Sequence, residues 1–162
     1  MTLERLSNER WGFSSNCFVC EPTNQFGLRQ PFFHDTEANL VVADLELGPE
    51  HSGAPSYVHG GVQLALLDEA MAWAAIAVAE RFAVTATFRS EFHHPIRVGK
   101  RYRLEAAIGE RSDSTLEATA RIVDDQGRVR TSAAATMVVL SAAQAVDAGA
   151  PTDVSTQGFV RP

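Results

Sequence analysis

The sequence predicts an α+β domain in which one long buried helix is wrapped by a curved antiparallel β-sheet. Three observations point there. The stretch from Val62 to Glu80 carries no Gly or Pro and is apolar almost throughout. Four runs after it alternate apolar and polar residues with the period of a strand. A further extended segment precedes it. A helix that is apolar nearly all round must be covered on every side, and a sheet folded around it meets that demand.

Taken in order, residues 1–28 show no sustained period and contain Gly12, Pro22 and Gly27. They are expected to be an irregular lead-in, with room for a short helix near the start. Residues 29–141 form the predicted domain. Its first strand lies within Arg29–Leu47, where Val41, Ala43, Leu45 and Leu47 alternate with Val42, Asp44 and Glu46, and Gly48-Pro49 ends it. A loop follows up to Val58. The helix comes next, about five turns and roughly 30 Å long. Then Val84, Ala86, Phe88, Ser90 and Phe92 fall on one face of a strand, with Thr85, Thr87, Arg89, Glu91 and His93 on the other. Tyr102–Ile108, Leu116–Ile122 and Val129–Leu140 supply three more strands, the last two joined at Asp124-Asp125-Gln126-Gly127. Residues 142–162 are rich in Ala, Ser, Gly and Pro and are expected to be a mobile tail.

Composition narrows the function classes. Hydrophobic residues at 45% are enough for one core, and the formal net charge of −6 comes without any long Lys/Arg block. Such a surface suits neither nucleic acid nor an anionic membrane. The apolar stretch is interrupted by Asp68 and Glu69, which argues against a bilayer span. The polar residues 1–11 read as no leader, so the expected compartment is the cytoplasm. Cys17 and Cys20 form one CxxC with no second pair after it, and the histidines show no ligand spacing. No metal site is therefore expected, and the cysteines are read as reduced structural residues, with a zinc shared across an oligomer as the alternative.

Two features carry chemistry. His59-Gly60-Gly61 opens the helix, where backbone N–H groups are free and the dipole is positive. Glycines there let a ligand approach, so the Gly60 and Gly61 N–H groups can hold a developing oxyanion. The same glycines can also serve only as a tight loop-to-helix turn. Asp68 and Glu69 sit mid-helix and differ by about 100° around the axis, so they face different surroundings. A carboxylate in an apolar pocket is a candidate base or nucleophile, and an interface ion pair is the alternative. Gly60 and Asp68 lie about 12 Å apart along the axis and cannot meet at one carbonyl within one chain. Two antiparallel copies of the helix would bring them together, which predicts a dimer with composite sites.

The run His59-Gly60-Gly61-Val62-Gln63-Leu64-Ala65-Leu66-Leu67-Asp68-Glu69-Ala70-Met71 resembles the helix signature of hotdog-fold thioesterases of the phenylacetate-degradation type. Cys17-Phe18-Val19-Cys20 with Asn24 and Gly27-Leu28, and Phe88–Pro95 with Val98-Gly99, are also similar to members of that superfamily. The resemblance spans residues 15–140. It implies a hotdog fold, dimers with sheets paired edge to edge, and often tetramers. It implies hydrolysis of a small or medium acyl-CoA, aromatic or aliphatic. Asp68 would be nucleophile or general base, the Gly60 N–H would polarise the carbonyl, and His59 would position the loop. Gln63 would orient water or the carboxylate, with Gly61 and Met71 near the substrate. Arg89, His93 and Arg97 would reach the coenzyme A phosphates, or else form an ordinary strand rim. No cofactor is implied beyond the coenzyme A of the substrate. The chain departs from the pattern at Gly53, where relatives carry Asn, and at Met71 and Ala72, where they carry the hydroxyl that holds water. That gap keeps a non-catalytic acyl-CoA-binding module as the alternative, with an acyl dehydratase or hydratase behind it.

Overall fold

Gly60–Ala77 forms the central helix α1, which the computed structural model shows starting two residues earlier than the periodicity suggests. The model describes residues 1–152 and 158–162. The early start comes from His59, which caps the helix by accepting the Gly61 N–H at Nδ1, 2.9 Å away. The helix stops short of Glu80 because Glu80 takes a left-handed conformation with φ 55°, and Arg81 N–H turns back to the Ala75 carbonyl. No helix among the described residues is long and apolar enough to cross a membrane.

Seven strands make the sheet. They are β1 (Leu3–Leu6), β2 (Phe32–Asp35), β3 (Leu40–Glu46), β4 (Ala83–Phe92), β5 (Arg101–Arg111), β6 (Thr115–Val123) and β7 (Val129–Val139). The spatial order is β1-β2-β3-β5-β6-β7-β4, and every neighbouring pair is antiparallel. The chain thus leaves the sheet at β3, runs through α1, and re-enters at the far edge as β4. This is the hotdog architecture, with the helix lying across the concave face.

Small residues make that close approach feasible. Ala106, Ala120 and Ala133 stand in register across β5, β6 and β7, and Ala118 stands opposite Ala135. Against them pack Leu66, Leu67, Ala70, Met71, Ala74 and Ala75 of the helix, all fully buried. Burying each of the large side chains contributes about 1.5–3 kcal/mol.

Several expectations change. Where one strand is expected before the helix, there are three. The extended segment breaks at a turn after Asp35, whose side chain accepts the Glu37 and Ala38 N–H groups. Within the lead-in expected to be irregular, β1 pairs with β2 and a 3-10 turn covers Asn8–Trp11. Four residues are too few for a period to show. In the stretch expected to be a tail, Ala142–Asp147 is a short helix α2, and Phe159 packs on Phe82 with ring centroids 5.0 Å apart. The part of that expectation at residues 153–157 lies outside the described residues.

The face assignment on β4 also changes. Thr85 pairs with Met137 and Thr87 with Thr136, so Ala86 is an extra, bulged residue. A bulge shifts the alternation by one. Ala83, Thr85, Phe88 and Ser90 are therefore partly buried, while Val84, Ala86, Thr87 and Arg89 are exposed. Val84 and Thr85 thus exchange the environments that simple alternation assigns them.

Candidate active site

Asp68 lies in the third turn of α1, half-buried, with its carboxylate turned toward the start of β4. There Thr85 Oγ1 donates a 2.6 Å hydrogen bond to Asp68 Oδ1. The bulge at Ala86 is what aims this hydroxyl inward. The resemblance leads one to look for a hydroxyl one turn along the helix, where this chain has Met71 and Ala72; the hydroxyl beside Asp68 comes instead from strand β4. Periodicity alone hides Thr85, since it places that residue on the outer face.

The opening of the helix is shaped by three side chains. His59 is exposed, and its ring takes the Gly61 N–H, so Gly61 is engaged within the cap. The Gly60 N–H has no acceptor among the described residues. A Cβ at Gly60 would lie 3.3 Å from the Phe92 ring, and one at Gly61 would lie 3.1 Å from His59 Nδ1. Both positions are thus crowded for any larger residue, and only Gly60 presents a free donor. The two N–H groups expected to share one role are separated by the structure.

Gln63 is buried and fixed at both ends of its amide. Its Nε2 donates to the Val58 carbonyl at 3.1 Å, and its Oε1 accepts from Thr131 Oγ1 at 2.5 Å. It ties the loop before His59 to β7. Met71, expected near the substrate, is wholly inside the core.

Residues 56–131 match the family described as the thioesterase superfamily. That stretch holds α1, β4, β5 and β6, so the helix that carries Asp68 lies inside the match. Among solved structures, this chain is similar to the thioesterase superfamily protein RHA08564, at 22% identity with a TM-score of 0.71 over 76% of this chain and 60% of that one. The match therefore spans less than two thirds of that protein. It is also similar to a hypothetical thioesterase from Streptococcus pneumoniae solved with coenzyme A, at 18% identity and TM-score 0.58 over 62% of this chain and 77% of that one. The E. coli PaaI protein from the phenylacetic acid degradation operon aligns at 18% identity and TM-score 0.59, over 64% of this chain and 74% of that one. Comparison with curated proteins gives no match.

The structure separates the three residues expected to reach phosphates. Arg97 lines a cleft of about 560 Å³ with Lys100, Arg101, Arg128 and Arg130, and Asp124 and Asp125 lie in its wall. Arg128 and Arg130 are held by Asp124, and Arg101 by Glu46. Arg97 stacks over the Tyr57 ring at 5.3 Å. Its strand-like bridge to Tyr57 and the Val58–Ile96 hydrogen bond join this cleft to the loop that ends at His59. His93 instead bonds Ser132 at 2.8 Å, and Arg89 stands exposed on β4.

Beyond Asp68, the helix face continues through Ala72 and Ile76. These line an apolar groove of about 190 Å³ with Phe13, Phe82, Val84 and Leu140. On the other side of the helix, Glu69 meets the two cysteines. Cys17 Sγ lies 3.3 Å from Glu69 Oε1, and the three ligand atoms of Cys17, Cys20 and Glu69 fall within 4.8 Å of one another. Burial pushes the Glu69 carboxyl up to about 7. A hydrogen bond from Cys20 holds the Cys17 thiol down to about 5 against the effect of burial, and that partner relation together with burial pushes the Cys20 thiol up. The helix-borne acid that desolvation acts on is thus Glu69, and it does not share a face with Asp68.

Proposed function

We propose that this protein hydrolyses an acyl-CoA thioester, with Asp68 as base or nucleophile in a site completed by a second copy of the chain. The observation that carries the reading is the Thr85–Asp68 hydrogen bond. It occupies one carboxylate oxygen and leaves the other for water or the thioester carbon. In the water route, Asp68 takes a proton as the water oxygen bonds to the carbonyl carbon. The oxyanion forms against the Gly60 N–H, and the carbon–sulfur bond then breaks to release coenzyme A as thiolate. In the nucleophilic route, Asp68 itself bonds to the carbon, the carbon–sulfur bond breaks to release coenzyme A as thiolate, and water then opens the resulting anhydride to give the free acid and return the Asp68 carboxylate.

Two features support a dimer. Gly60 and Asp68 are separated by about 12 Å of helix, so one carbonyl meets both only across two helices. The strand β4 sits at the sheet edge with its outer side unpaired, and it is long, at ten residues. Such an edge invites a second strand, and Thr85 lies on it. The acyl group fits the apolar groove past Ala72 and Ile76, and the coenzyme A phosphates fit Arg97 and Lys100. That the pneumococcal neighbour was solved with coenzyme A supports this ligand class.

The reading as a non-catalytic acyl-CoA-binding module draws its support from the absent hydroxyl at Met71 and Ala72; the Thr85 hydroxyl beside Asp68 weighs on the side of catalysis. A dehydratase would need His59 to face an acid; its ring is turned to Gly61 instead. Free thiol released from a panel of aromatic and aliphatic acyl-CoA esters tests the proposal. Hydrolysis of one ester class is expected. Binding of acyl-CoA without release of thiol would select the non-catalytic module.

A further inference from the structure

The mechanism uses Asp68 and leaves Glu69, Cys17 and Cys20 unassigned. Their placement is specific. The loop that carries both cysteines is built by Asn24, which is buried and donates to the Asn16 and Cys17 carbonyls while accepting from Phe26 N–H. Gly27 closes the loop where any Cβ would meet the Phe18 carbonyl oxygen. Leu28 and Gln30 N–H groups then bond the Phe18 and Val19 carbonyls. Within this frame the Cys20 N–H points at Cys17 Sγ from 3.4 Å. A backbone N–H aimed at the first sulfur of a CxxC favours its thiolate. The loop sits on α1 so that Glu69 comes within 3.3 Å of Cys17 Sγ. Among the described residues, no Lys, Arg or His forms an ion pair with Glu69.

We propose that Cys17, Cys20 and Glu69 bind one zinc ion, which pins the lead-in loop to a different face of α1 from the one that carries Asp68. In a tetrahedral zinc site the sulfurs stand about 3.8 Å apart and a sulfur and a carboxylate oxygen about 3.5 Å apart. Ligand atoms already within 4.8 Å of one another need only small side-chain rotations to reach that geometry. Two thiolates and a carboxylate suit a thiophilic divalent ion over magnesium or calcium. The cation neutralises the two thiolates and the carboxylate that bind it, and binding releases the protons of any ligand still protonated. Asn8, whose amide lies 3.7 Å from Cys20 Sγ, stands beside the cluster, and water completes the coordination. The sequence offers no second CxxC, and the third ligand here comes from a helix about fifty residues away.

The test is metal content and cobalt spectroscopy on the full-length protein, purified under reducing conditions without chelator, beside Cys20→Ser and Glu69→Gln. About one zinc per chain is expected in the wild type. Cobalt(II) added to zinc-stripped protein should give a sulfur-to-metal charge-transfer band. Cys20→Ser should weaken metal binding at least tenfold and lose most of that band. Glu69→Gln should keep the band and bind less tightly. Circular dichroism of each variant separates lost ligation from lost folding, and Glu69→Gln, which changes no sulfur, is the milder probe. The proposal is overturned if reduced, folded wild type takes up neither metal, if cobalt binds without the thiolate band, or if the two cysteines are isolated as a disulfide that metal does not prevent.

Discussion

Thr85 Oγ1 stands 2.6 Å from Asp68 Oδ1, so the central helix and the edge strand β4 meet at a hydroxyl–carboxylate hydrogen bond. The bond fixes which carboxylate oxygen is left for chemistry. Replacing Thr85 by Ala removes a hydrogen bond to a charged group, a loss of about 1.5–3 kcal/mol. That converts to a fall in kcat of about tenfold to a hundredfold. KM should change little, because the bond acts on the carboxylate and not on the bound substrate. Thr85→Ser should recover most of the rate. Steady-state kinetics of the three proteins check this, and unchanged kcat in Thr85→Ala would mean that the bond is only structural.

Gln63 gives a stability prediction instead. Its amide joins Val58 to Thr131 inside the fold. Gln63→Ala leaves both partners buried without it and should cost about 2–4 kcal/mol by denaturant titration. If Gln63 instead oriented the attacking water, the variant would lose kcat while keeping its stability.

Asp124 anchors the β6–β7 turn and holds the cleft arginines. Burial alone would raise its carboxyl, but the Arg128 and Gln126 N–H groups and the Arg128 and Arg130 side chains outweigh that and bring it down to about 2. A carboxyl with a folded value below its ordinary one stabilises the fold above the ordinary carboxylate range, and this is lost as pH falls toward about 2. Asp124→Asn should therefore lower Tm at neutral pH, with the gap to wild type narrowing from about pH 4 downward. Thermal melts across that range measure it. A gap that is constant with pH would show that charge is not the source.

Much of this was legible in the sequence. The α1 stretch shows because nineteen residues without Gly or Pro, nearly all apolar, admit little else. The strands β5, β6 and β7 show because each alternates cleanly. What escaped has physical causes. Thr85 was assigned to the wrong face because a single bulged residue at Ala86 inverts the period, and no local residue type announces it. The strand β1 is too short to have a period and exists because β2 offers it a partner. Glu69 reads as one of two adjacent acids, and only the tertiary placement of the Cys17–Cys20 loop shows what it faces. The Gly60 and Gly61 N–H groups look equivalent in sequence, and the His59 ring makes them unequal.

In the proposed dimer, Asp68 of one chain and the Gly60 N–H of the other serve the same carbonyl, and a mixture of two disabled variants reads this out. Asp68→Asn removes the carboxylate. Gly60→Pro removes the N–H at the first helical position, where His59, at φ −57° and ψ 134°, already has the backbone that precedes proline; the exposed Phe92 ring, 3.3 Å from a Cβ there, must swing aside, and circular dichroism checks that the variant folds. Each variant alone should release almost no thiol from acyl-CoA. Unfolded together and refolded at equal amounts, they should recover about a quarter of wild-type activity, since half the dimers are mixed and each mixed dimer has one intact site. Activity that stays at the level of the separate variants, with mixed dimers demonstrated by two-tag capture, would contradict the composite site.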